Sequence, residues 1–143
     1  MSAGPAVDPR GPRFAAIVTT VVLAVVLVTQ WWPLLAAQTV VFAIGAFIGL
    51  KPAPYSVLYR RLVAPRLSPT TEREDAAPLR FAQTVGFVFA LIGTIGFIAG
   101  IAPLGIVATA FALFAAFLNA AFNFCLGCEM YLLIKRFSPA RAS

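Results

Sequence analysis

Residues 104–136 read LGIVATAFALFAAFLNAAFNFCLGCEMYLLIKR, and the way this stretch is parsed decides the fold. Its apolar run, 104–134, is 31 residues long. A straight helix of that length reaches about 46 Å at ~1.5 Å per residue. Bilayer hydrocarbon is about 30 Å thick and takes about 20 residues to cross. The run therefore spells one membrane span with roughly 16 Å to spare. Either the helix tilts strongly or it breaks. Counted from Pro103, the span is used up near Phe124. That leaves Cys125 and Cys128 at a membrane boundary, with Tyr131, Lys135 and Arg136 in the interface. Asn123 as the cap of a second helix and Gly127 as the end of the first are both compatible with a break.

Three more apolar runs precede this one: 14–30 (FAAIVTTVVLAVVLVTQ), 34–50 (LLAAQTVVFAIGAFIGL) and 81–102. The chain is 61% hydrophobic and only 11% charged, where ordinary soluble domains carry about 25% charge. Such a surplus needs lipid to hide in. The first two runs are short for a span, and Trp31-Trp32-Pro33 between them supplies interfacial rings and a helix breaker. The expectation is an all-α polytopic membrane protein with four transmembrane helices at about 14–30, 34–50, 81–102 and 104–134. A tail, 1–13, precedes a single membrane domain, 14–143, with a loop at 51–80. The first run is longer than the apolar core of a usual signal peptide, and no polar segment separates it from the second, so it is expected to stay uncleaved.

All 11 Lys and Arg fall in three places. Arg10 and Arg13 precede the first helix. Lys51, Arg60, Arg61, Arg66, Arg73 and Arg80 lie between helices two and three, and Lys135, Arg136 and Arg141 follow helix four. Basic residues in short loops stay on the cytoplasmic side, so both termini and the 51–80 loop are expected inside a bacterial inner membrane. The net charge of +6 is then a topology signal that also attracts anionic lipid. A nucleic-acid partner is not expected, because no basic patch stands away from the membrane rim.

The two halves resemble each other. Arg13-Phe14-Ala15 opens helix one and Arg80-Phe81-Ala82 opens helix three. PLLAAQTVVFAIGAF at 33–47 aligns without gaps on PLGIVATAFALFAAF at 103–117. A duplicated helical hairpin follows, running in the same direction in both copies. Gly45 with Gly49 and Gly96 with Gly100 form two G-x-x-x-G pairs, which serve either a homo-oligomer face or contacts within the bundle. Asn119 and Asn123, four residues apart, suit interhelical hydrogen bonds. Five prolines rule out one long helix in the 51–80 loop. A short amphipathic piece at 55–63 is expected in the interface, with Tyr55 and Tyr59 at headgroup depth.

Absences narrow the chemistry. The chain has no histidine, which removes histidine-ligated metals, bis-histidine haem and histidine acid–base catalysis. No phosphate loop or dinucleotide fingerprint occurs. Acids are missing from the apolar runs except Glu129, which speaks against a pump or ion channel. No cofactor and no metal site are expected.

What remains is Cys125-Leu126-Gly127-Cys128, the only two cysteines of the chain. Residues i and i+3 share one helical turn, close enough for their sulfurs to bridge, which is why C-x-x-C serves thiol exchange. The alternative is a pair of small hydrophobes that lipid tolerates. Facing the cytoplasm, such a pair belongs to catalysis or metal binding rather than to a structural bridge. Cys125 is the candidate nucleophile if a helix starts there, with Cys128 resolving. Glu129 either accepts a thiol proton or pairs with Lys135, Arg136 or a loop arginine. Arg60 and Arg61 are candidates to guide an anionic sulfur species or an acidic partner face.

VDPRGPRFAA at the start, LKPAPY after helix two, PLRFA before helix three and FNFCLGCEMY in helix four resemble the bacterial membrane family called domain of unknown function 4395. The resemblance covers nearly the whole chain, and FCLGCEMY is its most specific part; the remainder follows a general actinobacterial pattern. It implies a four-span protein with soluble thioredoxin-like or rhodanese partners, doing thiol redox or sulfur relay through Cys125 and Cys128. A permease for a small sulfur compound and a non-catalytic membrane scaffold are the competing expectations.

Overall fold

Among the described residues, prolines open five of the six α-helices. Pro12 stands in the first turn of α1 (Arg10–Thr29), Pro33 in that of α2 (Trp32–Ala43) and Pro54 in that of α3 (Pro54–Leu58). Pro78 and Pro103 do the same for α4 (Ala76–Ile98) and α5 (Ala102–Phe122). The first amides of a helix have no intrahelical partner, so a proline there costs no hydrogen bond and pre-sets φ. Only α6 (Leu126–Arg136) has no proline at its start; it begins on a cysteine.

The computed structural model describes residues 6–7, 10–49, 53–63, 65, 74–122 and 124–137. They are helical apart from turns and one antiparallel pairing of two residues with two, Ala6–Val7 with Glu74–Asp75. The last turns of two helices widen to π geometry, Ile44–Ile48 after α2 and Tyr59–Val63 after α3.

The bundle is a closed ring of neighbours: α1 packs on α5, α5 on α4, α4 on α2 and α2 on α1. Its core holds Leu23 and Val26 of α1, Leu35 and Phe42 of α2, Ala90 of α4 and Ala112 of α5. The outward faces are equally oily. Ile17, Val21, Val25 and Val28 line the exposed side of α1, and Val107, Phe111 and Phe114 that of α5. Only 28%, 22% and 22% of the residues in the apolar windows of α1, α4 and α5 are buried inside the protein. An apolar exterior of that extent needs a non-aqueous surround. These three helices are long and apolar enough to cross a membrane; the apolar helix Trp32–Ile48 is shorter.

The hairpin likeness holds in three dimensions. The turn between α1 and α2 carries Gln30 at φ 53°, and the turn between α4 and α5 carries Gly100 at φ 80°, 70 positions later. Around Gly100 the Ile101 amide donates to Gly96 O at 2.8 Å, the six-to-one bond that closes a helix on a left-handed residue. The buried residues of α2 are Leu35, Gln38, Thr39 and Phe42; those of α5 are Gly105, Ala108, Thr109 and Ala112, the same register shifted by 70. Arginines of the repeated R-F-A then tie the halves crosswise. Arg13 Nε donates to Ala120 O at the end of α5 (3.3 Å), and Arg80 Nη2 to Ala46 O at the end of α2 (2.9 Å). A cation there complements the negative pole of each helix. These bonds gather the starts of α1 and α4 and the ends of α2 and α5 at one end of the bundle.

Several boundaries differ from the sequence expectation. Helix three starts at Ala76 rather than near 81, because Pro78 sits where a first turn accepts it. The run 104–134 is not one helix: α5 stops at Phe122 and α6 starts at Leu126. Tyr55 and Tyr59 turn toward the bundle. The Tyr55 hydroxyl donates to Gln38 Oε1 at 2.6 Å, and Tyr59, only 5% exposed, packs on Phe14 with ring centroids 5.8 Å apart.

Candidate functional site

The break in the 104–134 run builds the site. After Phe122 the chain leaves the helix, and the Phe124 amide turns back to Leu118 O at 3.2 Å. Cys125 is extended, at φ −86° and ψ 102°, and caps α6: its Sγ accepts the Cys128 amide at 3.1 Å. The Glu129 amide donates to Cys125 O at 3.0 Å and begins the helical ladder. A disulfide joins Cys125 to Cys128, with Cα atoms 5.1 Å apart. Of the two ways to break the run, the structure therefore takes a third variant: the cap is Cys125 itself. Asn123 lies outside the described residues, and Gly127 is inside the first turn of α6 rather than at the end of α5.

That placement matters chemically. The N-terminus of a helix carries partial positive charge, and a sulfur at the cap receives it together with a backbone N–H. Cys125 holds this position and Cys128, three residues on, does not. Both are half-buried, while Glu129 is exposed in the first turn, where an acid also favours the helix start. Lys135 and Arg136 occupy the last turn of α6 and complement its other pole.

α6 is held on α4. Gly127 is buried, and a Cβ built on it would lie 2.7 Å from both Cα and Cβ of Ala82. One turn on, Tyr131 packs on Phe81 with ring centroids 5.7 Å apart. This repeats the Phe14–Tyr59 contact of the other half, where α3 docks on α1. Each R-F-A phenylalanine thus receives the tyrosine of its own half's exit helix.

The other sequence candidates are distributed. Arg60 and Arg61 are exposed on the π turn after α3, which packs on α1, whereas the disulfide sits at the start of α6, which packs on α4. The structure places these arginines in the opposite half of the bundle from the cysteines. Both G-x-x-x-G pairs split into unlike roles. Gly45 faces α4, where a Cβ would come within 2.8 Å of Gln83 Oε1, and Gly96 faces α5, where it would meet Gly105 N at 2.9 Å. Gly49 and Gly100 instead adopt positive φ, 147° and 80°, at helix ends. Asn119 is half-buried on α5. Among the described residues no group of three or more His, Cys, Asp or Glu is placed to hold a metal ion.

Two features went unread in the sequence. Gly127 reads as a possible end of the first helix and not as a site of close approach to a neighbouring helix. Tyr55 with Gln38 gave no signal at all, since 17 residues and a chain reversal separate them.

A family model described as "Domain of unknown function (DUF4395)" matches residues 7–136. No curated protein and no solved structure matches the chain.

Proposed function

The chain belongs to the family described as domain of unknown function 4395, and for this member of it we propose thiol–disulfide or sulfur relay at the inner rim of a bacterial cell membrane. In this reading α1, α4 and α5 span the bilayer, and Trp32–Ile48 makes a fourth, shorter crossing with Trp31 and Trp32 at the outer interface. Both termini lie inside, because the basic residues gather at that end. The observation that carries the reading is the position of Cys125: helix cap, acceptor of the Cys128 amide and disulfide partner of Cys128 at once.

The exchange balances as follows. A thiolate of a soluble thioredoxin-like or rhodanese protein attacks Cys125 Sγ. The Cys125–Cys128 bond breaks, Cys128 leaves as thiolate and takes up a proton, and a mixed disulfide forms. A second thiol of the partner attacks its own sulfur in that bond and releases Cys125 as a thiolate held by the helix start. The partner's dithiol has lost two electrons and two protons, and this chain has gained them. In reverse, Cys125 attacks and Cys128 resolves. With a persulfide, Cys125 takes the outer sulfur, and Cys128 then displaces it as hydrosulfide while the disulfide re-forms. Glu129, exposed one turn from Cys125, is the candidate to receive the proton of Cys128, and Arg60 and Arg61 are candidates for a partner's acidic face.

Single Cys128→Ser chains expressed in cells should accumulate a mixed disulfide through Cys125 with a soluble partner, resolved by reductant on a non-reducing gel. The Cys125→Ser chain should trap far less. Absence of any adduct in Cys128→Ser, with normal sulfur metabolism in the double mutant, would leave only a scaffold. A second reading, passage of a small sulfur compound, is favoured by the buried polar groups between the helices: Gln38 with Tyr55, and Thr39 with Thr94 at 3.3 Å. Uptake of labelled thiosulfate that falls in Gln38→Leu but not in Cys125→Ser would move the weight to it.

A further inference from the structure

α6, which carries the disulfide at its start, has α4 as its main neighbour. The stripe facing α4 is Gly127, Tyr131 and Lys135, spaced i, i+4, i+8; these residues are buried or half-buried, whereas Glu129, Met130, Leu132 and Leu133 are exposed. Within the first turn, Gly127 is the buried residue. A Cβ there would stand 2.7 Å from two atoms of Ala82, one of them backbone Cα, and no flexible side-chain end is available to move aside. Cys125 and Cys128 flank this glycine on the chain. Any side chain at 127 must therefore lift or rotate the very turn that holds the Cys125 Sγ···H–N Cys128 bond.

We infer that Gly127 and Ala82 form a positioning contact that fixes the rotation of the dithiol turn against α4. It thereby sets how strongly the helix start supports the Cys125 sulfur. This rests on the thiol-relay reading for its purpose, but not for its geometry. Neither residue touches the reacting atoms; they act through the cap. The contact has a simple steric form, a missing Cβ on one helix against a small one on the other. It therefore predicts a partial rescue: removing the Ala82 methyl relieves one of the two 2.7 Å contacts at 127 and leaves the backbone Cα in place.

The experiment uses the full chain in detergent or liposomes, reduced and then challenged with a maleimide. In Gly127→Ala the labelling rate of Cys125 should fall about three- to five-fold, the scale of a helix-terminus interaction. The equilibrium with a glutathione redox buffer should move toward the disulfide by a similar factor, because the reduced form loses its support. The double variant Ala82→Gly/Gly127→Ala should recover part of both changes, since one of the two close contacts is gone. A merely structural glycine would not move the redox equilibrium or be rescued from α4.

Wild-type rate and equilibrium in Gly127→Ala would overturn the proposal, as would a double variant that recovers none of the loss. If Gly127→Ala does not fold, Ala82→Val, which crowds the same contact from α4, is read instead: a slowed Cys125 supports the contact and a parent-like one overturns it. The two readings separate cleanly. Should Cys128→Ser trap no partner while the maleimide and glutathione results hold, the relay falls and the positioning contact stands. Should Gly127→Ala label and equilibrate like the parent while Cys128→Ser still traps a partner, the reverse is true.

Discussion

The two halves of this protein share a scaffold and differ in what they carry on it. In each, an R-F-A segment lies one turn into a helix, a left-handed residue turns the chain, and a second helix buries the same register of positions. Each half then ends in a capped exit helix whose tyrosine lands on the opening phenylalanine, at 5.8 Å in one half and 5.7 Å in the other. Aligned on their capping residues, Ala53 and Cys125, the exit helices place Ser56 against Cys128, Tyr55 against Gly127 and Tyr59 against Tyr131. The duplicated parts are structural. The parts that differ are the disulfide in the second half and the Tyr55–Gln38 pair in the first, whose α5 counterpart of Gln38 is Ala108. The disulfide is found in one copy of a repeated frame.

The largest test of that contrast moves the cysteines across it. In a chain lacking Cys125 and Cys128, Ala53→Cys with Ser56→Cys should form a bridge, since Ala53 is also an extended cap at ψ 139°. Ala53 is 7% exposed, so after reduction the grafted pair should react with a maleimide at least about ten-fold more slowly than the native one, as buried thiols do. Equal reactivity would mean that the frame, not the second half, makes the site.

A smaller effect is expected at the crosswise arginines. Arg80→Gln removes a 2.9 Å bond to the end of α2 and should cost about 1 kcal/mol in detergent unfolding, while Arg13→Gln, with a 3.3 Å bond on an exposed residue, should cost less. The order of the two midpoints is the readout.

Tyr55→Phe should also cost about 1 kcal/mol, because it leaves the buried Gln38 amide without its one partner at Oε1 when Nε2 already has none. Burial holds the Tyr55 phenol above the ordinary tyrosine value of 10.0. A raised folded pKa means that the stabilisation is complete below the unfolded value and lost as pH rises through the folded one. The difference in phenolate absorbance between the parent and Tyr55→Phe should therefore develop only above the free-tyrosine midpoint; a midpoint at or below it would show the ring is not buried.

The smallest difference separates two threonines that the repeat makes equivalent. Thr39 lies 3.3 Å from Thr94, and Thr39→Val should cost about 0.6 kcal/mol, typical of an interhelical bond in a membrane. Thr109, fully buried with no partner for its hydroxyl, should tolerate valine without loss. A thermal shift larger in Thr109→Val than in Thr39→Val would contradict the assigned hydrogen bonding.

Much of this frame was legible in the residues. The apolar runs state the helices, the excess length of 104–134 states that something must tilt or break, and R-F-A with the P-L alignment states the duplication. The split of the G-x-x-x-G pairs was not legible, because a glycine that lets a neighbour approach and one that turns the chain look alike in sequence. Nor was the direction of Tyr55 and Tyr59, whose amphipathic spacing fits a headgroup layer as well as a bundle interior.

By itself the sequence determined the oil, the placement of the basic residues and the spacing of two sulfurs on one turn. Those are properties of composition and of short-range periodicity, and they survive without knowledge of any neighbour. The tertiary structure decided that Cys125, not Asn123, caps the last helix, and that Gly127 is pressed on Ala82. It also decided that the arginines at 60 and 61 belong to the other half. How far a helix rotates and where it stops depends on which distant side chain fills the space beside it, and that is settled only when the helices pack.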